Sequence, residues 1–327
     1  MRRLQRRRSA VLAATLAAML LGAVPASATP SYRDVFIRDN TGDTAGAEPS
    51  VGDVWYSPDI WVCPPANPGC TVDTNPVVGA LNWVHVKLNR QAGAETDVTG
   101  TLRLYYTAMG GAANWGGDAD PLDDWTKITD AFGVTVPPGG YELVLPWNGV
   151  PGPGHYCLLA RWESVDTMTT PEGPNTLTNT RNNNNIGWHN VNTVVLPRLQ
   201  PQPEPFMIGN PWREGDFKTN LVLKADGKPF VGPGKLVVDL GPDLAARWKQ
   251  AGQRGVGVRP AGDTTVEIVD GKFARIDGLV LKSRERVPAK IVFTAGAAAA
   301  GQFVVRVNQT DGQGVDVGGV EYRLTVK

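Results

Sequence analysis

The hydrophobic pattern of this chain is mainly that of short β-strands. In residues 82–89, Val84, Val86 and Leu88 alternate with polar or amphipathic residues, and residues 100–106 and 141–147 repeat the alternation. A period of two places alternate side chains on one face of a strand, so these segments predict half-buried strands of a sandwich. His85 falls on the face opposite the core positions and is predicted to be a surface or inter-loop residue.

Residues 156–196 predict the closing strands of this sandwich. Residues 156–162 form an apolar run short enough for a buried strand, and the set containing Leu158 and Ala160 is predicted to face inward because the other set contains Arg161. Four asparagines at 182–185 precede a β-branched run that ends at Pro197. Asparagine favours tight turns, so we predict a turn before the last strand; ligand binding by these amides is the alternative.

The second half, residues 206–327, carries a similar pattern. Seven strands are predicted, over residues 220–224, 235–240, 265–269, 273–281, 287–294, 302–309 and 320–326. Asp270-Gly271 predicts a hairpin turn. One short helix is predicted over 243–252, capped by Asp243 or Pro242 and stopped by Gly252. These elements predict a second antiparallel sandwich.

Alternating prolines in residues 197–205 predict an extended, semi-rigid linker between the two halves. The sequence therefore predicts an all-β protein made of two immunoglobulin-like antiparallel sandwiches, over residues 29–196 and 206–327, with one short helix in the second.

The N-terminus has a different pattern. Five arginines within residues 1–8 precede an apolar run at 10–24 and Ala26-Ser27-Ala28. This order predicts a signal peptide over residues 1–28 and a secreted, extracellular protein; whether export follows the general or the twin-arginine route is left open. The chain has 32 basic and 32 acidic residues, so removing five arginines leaves 27 against 32, a net charge of −5. This balance argues against nucleic acid and anionic membranes as partners.

The chain has three cysteines, and in a secreted protein one pair should oxidise. The prolines and glycine between Cys63 and Cys70 would bring the ends of that loop together, which favours a Cys63–Cys70 disulfide and a buried thiol at Cys157. A bridge from Cys157 to either of the other two is the alternative.

Two acidic segments are candidates for calcium, because hard cations bind several oxygens from a flexible segment. The first, in residues 29–55, contains Asp34, Asp39, Asp43 and Glu48; the second contains Asp118, Asp120, Asp123 and Asp124. Neither matches the spacing of an EF-hand. The alternatives are an extended solvated lead-in for the first segment and hydrated turn-forming residues for the second.

The second acidic segment belongs to a long insertion, residues 109–131, which also contains Trp115 and Trp125. A loop of this length inside a compact domain is usually functional or mobile. Exposed aromatic rings beside Asp118 and Asp120 would form a protein-binding or sugar-stacking surface. The alternative is that both rings pack over the end of the sandwich.

Five segments in order, SPDIWV, NWVHVKLNRQAG, VPPGGYELVLPW, HYCLLARWES and NNNNIGWHNVNTVV, resemble the bacterial cell-adhesion-related (CARDB-type) domain. The resemblance covers residues 57–196 and departs from the family pattern at the 109–131 insertion and the 63–70 loop. It implies an immunoglobulin-like sandwich with a binding or spacer role in extracellular architecture, and it transfers no catalytic residue.

The sequence contains no nucleophile elbow, no His-Glu-x-x-His, no phosphate loop and no dinucleotide fingerprint. We therefore expect a non-catalytic binding or adhesion-type protein that recognises an extracellular protein or surface component and uses no cofactor, apart from the calcium candidates. A carbohydrate-binding or accessory glycan-active module and a structural spacer are the alternatives.

Overall fold

A computed structural model describes residues 34–43, 48–108, 110–117, 123–152, 155–165, 170–212 and 214–327. The predicted signal peptide, residues 1–28, lies outside this range. The first half contains β1 (Val35–Phe36), β2 (Ile60–Cys63), β3 (Asn82–Arg90), β4 (Val98–Thr107), β5 (Thr126–Val136), β6 (Tyr141–Trp147), β7 (Cys157–Glu163), α1 (Thr176–Asn182), β8 (Ile186–His189) and β9 (Val191–Leu196).

The second half contains β10 (Pro201–Gly209), β11 (Phe217–Asp226), β12 (Gly234–Asp239), α2 (Gly241–Gln250), β13 (Gly255–Val256), β14 (Val258–Pro260), β15 (Thr265–Ile268), β16 (Phe273–Leu281), β17 (Arg286–Ala295), β18 (Gly301–Asp311) and β19 (Asp316–Val326). The protein is all-β, with two sandwiches as predicted. Within the described residues, neither helix has the length and apolarity needed to cross a membrane.

The first sandwich packs two antiparallel sheets face to face. In one, β3 pairs with β6 on one side and with β1 and β2 on the other; in the second, the order is β5-β4-β7-β8. Val84, Val86 and Leu88 are fully buried between the sheets, and Leu158 and Ala160 face them from β7. The period-two pattern therefore predicted the inward faces correctly.

A second apolar layer covers the outer face of the β5-β4-β7-β8 sheet. Cys157 and Leu159, which point away from the sandwich core, are buried there against a group of tryptophans. That group comprises Trp55, Trp115, Trp125 and Trp188. Since β7 is covered on both faces, its sequence is a continuous apolar run instead of an alternating one.

The second sandwich has sheets ordered β10-β17-β12-β15-β14 and β13-β16-β11-β18-β19-β9. Its core includes edge-to-face contacts among aromatic rings, with Phe230 against Phe293 and Phe303 at 5.8 and 5.3 Å between centroids. Helix α2 buries Leu244 and Trp248 against this core. The helix begins at Gly241, two residues before the predicted start, and Gly252 beyond its end has φ +83°.

The prediction that residues 197–205 form a linker outside the sheets is wrong, because residues 201–205 belong to a strand. Residues 201–205 begin β10, which pairs antiparallel with β17 along its whole length. Successive N–H groups of a strand point to opposite sides, so prolines at alternate positions leave the intervening residues free to form the ladder. The proline spacing that suggested a spacer is equally compatible with an edge strand.

The segment predicted to be the last strand of the first sandwich forms two strands, β8 and β9, and each belongs to a different domain. β8 pairs with β7, whereas β9 leaves the first sandwich and pairs in parallel with β19 of the second. Val194 and Leu196 of β9 lie in the core of the second sandwich. The boundary predicted after residue 196 is therefore crossed by a strand, and β9 joins the two domains directly.

Two local predictions also need correction. Asp270-Gly271 does form a connection, but β15 and β16 belong to different sheets, so the turn carries the chain between layers and closes no hairpin. The first sandwich contains a helix that was not predicted, α1, whose N-cap residue Asn175 accepts a hydrogen bond from Thr178 N. In addition, β5 starts at Thr126, so the inserted loop ends before the predicted residue 131.

Candidate functional site

The two sandwiches meet at an interface of close backbone contacts. Ala112 N donates to Val317 O at 3.0 Å, and Glu321 N donates to Asn190 O at 3.1 Å. Gly319 lies against the Trp55 ring, where a Cβ would come within 2.6 Å of ring atoms. Only glycine allows this approach, so the second domain is fitted to the first at this point.

Asp124, one of the predicted calcium ligands, joins the two domains through an ion pair. Its Oδ2 lies 2.5 Å from Arg286 Nη2 and accepts from Asn114 N at 2.6 Å. Arg286 also donates to Asn210 O at 2.6 Å. Asp123 Oδ1 accepts from Trp125 N at 3.0 Å, which is the turn role considered as the alternative. Asp118 and Asp120 lie outside the described residues.

Trp115 and Trp125 are buried, so the prediction that their rings are exposed is wrong. Trp125 packs edge to face with Trp188 at 6.0 Å and donates from Nε1 to Thr176 Oγ1 at 2.9 Å. Trp115 packs against Tyr105, with the Arg161 guanidinium over its ring at 4.6 Å. Both rings are packed, as in the alternative, but they cover the outer face of the β5-β4-β7-β8 sheet and not the end of the sandwich.

The structure contains the Cys63–Cys70 disulfide, with 5.5 Å between the Cα atoms. The loop it closes covers the outer face of β3 and makes His85 an inter-loop residue. The His85 ring stacks on Trp61 at 4.8 Å, and Nε2 lies 2.8 Å from Pro68 O. Nδ1 lies 2.8 Å from Glu142 Oε1. Both ring nitrogens are therefore used in holding the loop.

The asparagines after α1 connect neighbouring segments through their side chains. Asn183 Nδ2 donates to Asn179 O at 3.0 Å, and Asn185 Nδ2 donates to Trp162 O at 2.7 Å. Asn184 Nδ2 donates to Asp34 Oδ2 at 2.6 Å. Since Asn183 and Asn185 are also buried, these amides serve the turn and the packing around it, and this favours the turn interpretation over ligand binding.

Cys157, His155 and Asn192 form a buried group. Its residue types are those of the catalytic residues of a thiol protease. His155 Nε2 lies 3.1 Å from Cys157 Sγ, and Asn192 Nδ2 donates to His155 Nδ1 at 2.6 Å. Burial raises the pKa of the Cys157 thiol well above its usual range and lowers the pKa of His155 to about 4. An activated thiol needs the opposite shifts, so this group is a neutral packing contact.

A cleft of about 740 Å³ runs along the junction of the two sandwiches. The first domain contributes the residues just after the disulfide loop, Lys87 on the outer face of β3 and the segment that leads into β2; the second contributes residues of β11, β18 and β19. Residues that represent both walls are Trp61, Val72, Lys87, Asp226, Arg306 and Arg323.

The charged side chains of the cleft are largely paired with one another. Arg306 reaches Glu321 at 2.9 Å and Asp226 at 2.7 Å, and its guanidinium lies 4.4 Å from the centre of the Tyr56 ring. Arg323 reaches the other oxygen of Glu321 at 2.8 Å. The sequence analysis assigned these residues no role; the available signal was the pair of charged residues at alternate positions of β19, Glu321 and Arg323.

The first acidic segment contains two buried carboxylates that form few hydrogen bonds with the described residues. Asp39 is fully buried, and neither carboxylate oxygen has a hydrogen-bond partner among the described residues. Burial first, and then the charge of Glu48, raise the pKa of Asp39 well above its usual range. Burial raises the pKa of Glu48 to about 8. The alternative of a solvated lead-in is therefore wrong for these two residues.

The loop around these acids is held by hydrogen bonds. Glu48 Oε2 accepts from Ser50 N at 2.8 Å, whereas Glu48 Oε1 and Ser50 Oγ are buried without a partner among the described residues. Asn40 Nδ2 donates to Val51 O and Asp53 O, both at 3.0 Å. In the described part of the chain, no group of three or more His, Cys, Asp and Glu side chains is arranged to hold a metal.

No family model matches the chain, and no curated protein does. Among solved structures, the collagen adhesin CNA of S. aureus is 8% identical over 82% of this chain and 91% of that chain, with a TM-score of 0.23. The Enterococcus faecalis adhesin ACE is 10% identical over 76% and 90%, with a TM-score of 0.22.

A family 123 glycoside hydrolase from Clostridium perfringens is 13% identical over 42% of this chain, with a TM-score of 0.26. The chain spans only 23% of the length of that enzyme. These similarities are too low to carry a functional argument, and the all-β assignment follows from the strands themselves. The resemblance to the CARDB-type domain stays a prediction.

Proposed function

We propose that the protein is exported and acts as a non-catalytic binding protein, with the junction cleft as its contact surface. The supporting observation is the cleft itself, because both domains form its walls and a strand, an ion pair and close backbone contacts join those domains. A surface held in one shape before binding loses less entropy when a partner arrives.

The chemistry of the walls favours a macromolecular partner. Arginines and aromatic rings, which are enriched in protein interfaces, lie beside carboxylates in the cleft, and most of these charges are already paired. Such walls suit a polar segment that carries charges of both signs. We infer that the partner is an extracellular protein or a surface component that presents such a segment.

Binding is tested with two exposed cleft residues that lie outside the ion-pair network. The double variant Val72→Asp/Lys87→Glu should reduce retention of the partner at least about tenfold in pull-downs from culture medium followed by cross-linking. Val165→Asp, on a still more exposed valine that does not line the cleft, should leave retention unchanged. Equal retention by the parent and the double variant would refute the cleft as the site.

Two further measurements separate the remaining alternatives. Discrete hits on a glycan array that disappear in the double variant would identify a carbohydrate-binding module instead. No retained partner and no glycan hit would indicate a structural spacer. Export is tested separately: the secreted protein should begin at Thr29, and a product that stays in the cell with Met1 intact would contradict it.

A further inference from the structure

The N-terminal loop before β2 contains four buried oxygen atoms without hydrogen-bond partners among the described residues. They are Asp39 Oδ1, Asp39 Oδ2, Glu48 Oε1 and Ser50 Oγ. The three side chains belong together: all three are buried, Ser50 N donates to Glu48 Oε2 at 2.8 Å, and the Glu48 carboxylate and the Ser50 hydroxyl lie near enough to Asp39 to act on its pKa. Buried polar atoms are nearly always paired, so a cluster of unpaired oxygens requires an explanation.

Neither protonation state of the two acids satisfies this cluster. Ionised, they bury two carboxylates whose charges repel, which costs far more than any hydrogen bond on the loop returns. Protonated, they still leave acceptor oxygens unsatisfied: the Ser50 hydroxyl is near enough to lower the pKa of Asp39, but it forms no hydrogen bond of good geometry with either Asp39 oxygen. The Arg181 guanidinium offsets the charge of Asp39 only in part, and its Nη2 donates to Gly52 O at 3.4 Å.

We propose that Asp39, Glu48 and Ser50 bind a calcium ion in the loop between β1 and β2. Calcium accepts carboxylate and neutral oxygens in irregular geometry, whereas magnesium requires a nearly ideal octahedron and keeps its waters. Two carboxylates balance the charge of one divalent ion, and water can complete its coordination. This assignment is compatible with the lack of a described three-residue His/Cys/Asp/Glu group, because the third side-chain ligand is a hydroxyl.

The position of this loop gives the ion a structural consequence. Ser50 N donates to Arg181 O at 2.8 Å at the end of α1, and Ile37 N donates to Asn184 O at 2.8 Å. Farther along the same segment, Asp53 faces Arg306 Nη1 at 3.7 Å across the junction. A cation that fixes the loop therefore fixes the segment that leads into the junction of the two sandwiches.

The test is calorimetric titration of the full chain, freed of metal by a chelator, with calcium chloride. We expect one calcium ion per chain, and at about a hundred times the dissociation constant a rise in melting temperature of about 5 °C or more. Asp39→Asn and Glu48→Gln should each weaken binding at least about 100-fold, because each removes a charged ligand. Circular dichroism and melting in chelator verify that both variants fold; these near-isosteric changes remove repulsion and should not lower the melting temperature.

Two controls locate the site. Asp118→Asn/Asp120→Asn removes two acids of the other candidate segment, and Asp263→Asn removes a fully exposed acid far along the chain. Both should bind calcium like the parent. The proposal is overturned if the parent binds no calcium, which would leave buried water as the partner of these oxygens. It is also overturned if binding survives in Asp39→Asn and is lost in Asp118→Asn/Asp120→Asn. Magnesium titration should give at least about tenfold weaker binding, and a preference for magnesium would overturn the choice of ion.

Discussion

The two acidic segments look alike in the sequence, but the fold places them in different environments. In the insertion, Asp124 pairs with Arg286 of the second sandwich and Asp123 caps the turn before Trp125. In the N-terminal loop, Asp39 and Glu48 are buried, and three of their four carboxylate oxygens have no hydrogen-bond partner among the described residues. The role of a carboxylate is therefore set by the donors that distant parts of the chain bring to it, and local acidity does not indicate which role it has.

The largest expected effect concerns pH in the calcium-free protein. The pKa of Glu48 is raised from 4.5 to about 8 in the fold, so the folded state binds its proton more tightly than the unfolded state. The resulting stabilisation is present below the unfolded pKa and is lost as pH rises toward the folded pKa. From about pH 5 to about pH 8 the free energy of unfolding should fall by about 3 kcal/mol relative to Glu48→Gln.

Denaturant titrations of the parent and Glu48→Gln in chelator measure this difference. The comparison with the variant is necessary because His155, whose pKa falls to about 4, acts in the opposite direction as pH rises toward its unfolded value of 6.5. Asp39, whose pKa is also raised, acts in the same direction as Glu48 in both proteins. Parallel curves for the two proteins would show that Glu48 is not buried as a proton-binding group.

A smaller effect is expected at the paired acid of the other segment. Arg286→Ala leaves Asp124 partly buried without its cation and removes the hydrogen bond to Asn210 O. The free energy of unfolding should fall by about 2 kcal/mol in equilibrium denaturation. Lys282→Ala is the matched control, because Lys282 forms an exposed pair with Asp216, and its loss should cost less than about 0.5 kcal/mol. Equal losses in the two variants would mean that the pair at the junction contributes nothing special.

The smallest effect is expected at the neutral member of the proposed calcium site. Ser50→Ala removes a hydroxyl and leaves both carboxylates, so calcium affinity should fall about tenfold, less than in either acid variant. In chelator the variant should unfold with nearly the parent's stability, because the hydroxyl has no hydrogen-bond partner among the described residues to lose. A loss of affinity as large as that of Asp39→Asn would show that Ser50 positions the loop and does not only bind the ion.

The sequence predicted well where apolar and polar residues alternate along a strand. The alternation in β3 identified its inward residues, and the compact loop between Cys63 and Cys70 identified the disulfide. It failed where a second layer covers a strand. Trp115 and Trp125 lie in a polar, Asp-rich stretch. They are buried because they pack against apolar residues on the outer face of β4 and β7, which the local sequence around them does not indicate.

The local sequence pattern also did not predict which strands pair with one another. Pro201, Pro203 and Pro205 predict an extended backbone, and the backbone is extended, but pairing with β17 turns it into an edge strand. The same holds for the β-branched run at β9, whose partner β19 lies more than a hundred residues farther along the chain. Backbone conformation is a local property, whereas the choice of a strand's partner depends on the packing of the whole sheet.

The sequence by itself determined the β-rich character of the chain, the inward faces of the half-buried strands, the short helix α2 and the closed loop at Cys63. Those features depend on residue period, backbone propensity and short-range closure, which neighbouring residues carry. Only the tertiary structure decided that β9 crosses into the second sandwich, that Arg286 neutralises Asp124, and that three of the four carboxylate oxygens of Asp39 and Glu48 are buried with no hydrogen-bond partner in the described part of the chain. These outcomes depend on which distant surfaces meet, because burial and charge compensation arise from contacts between segments that the local pattern does not specify.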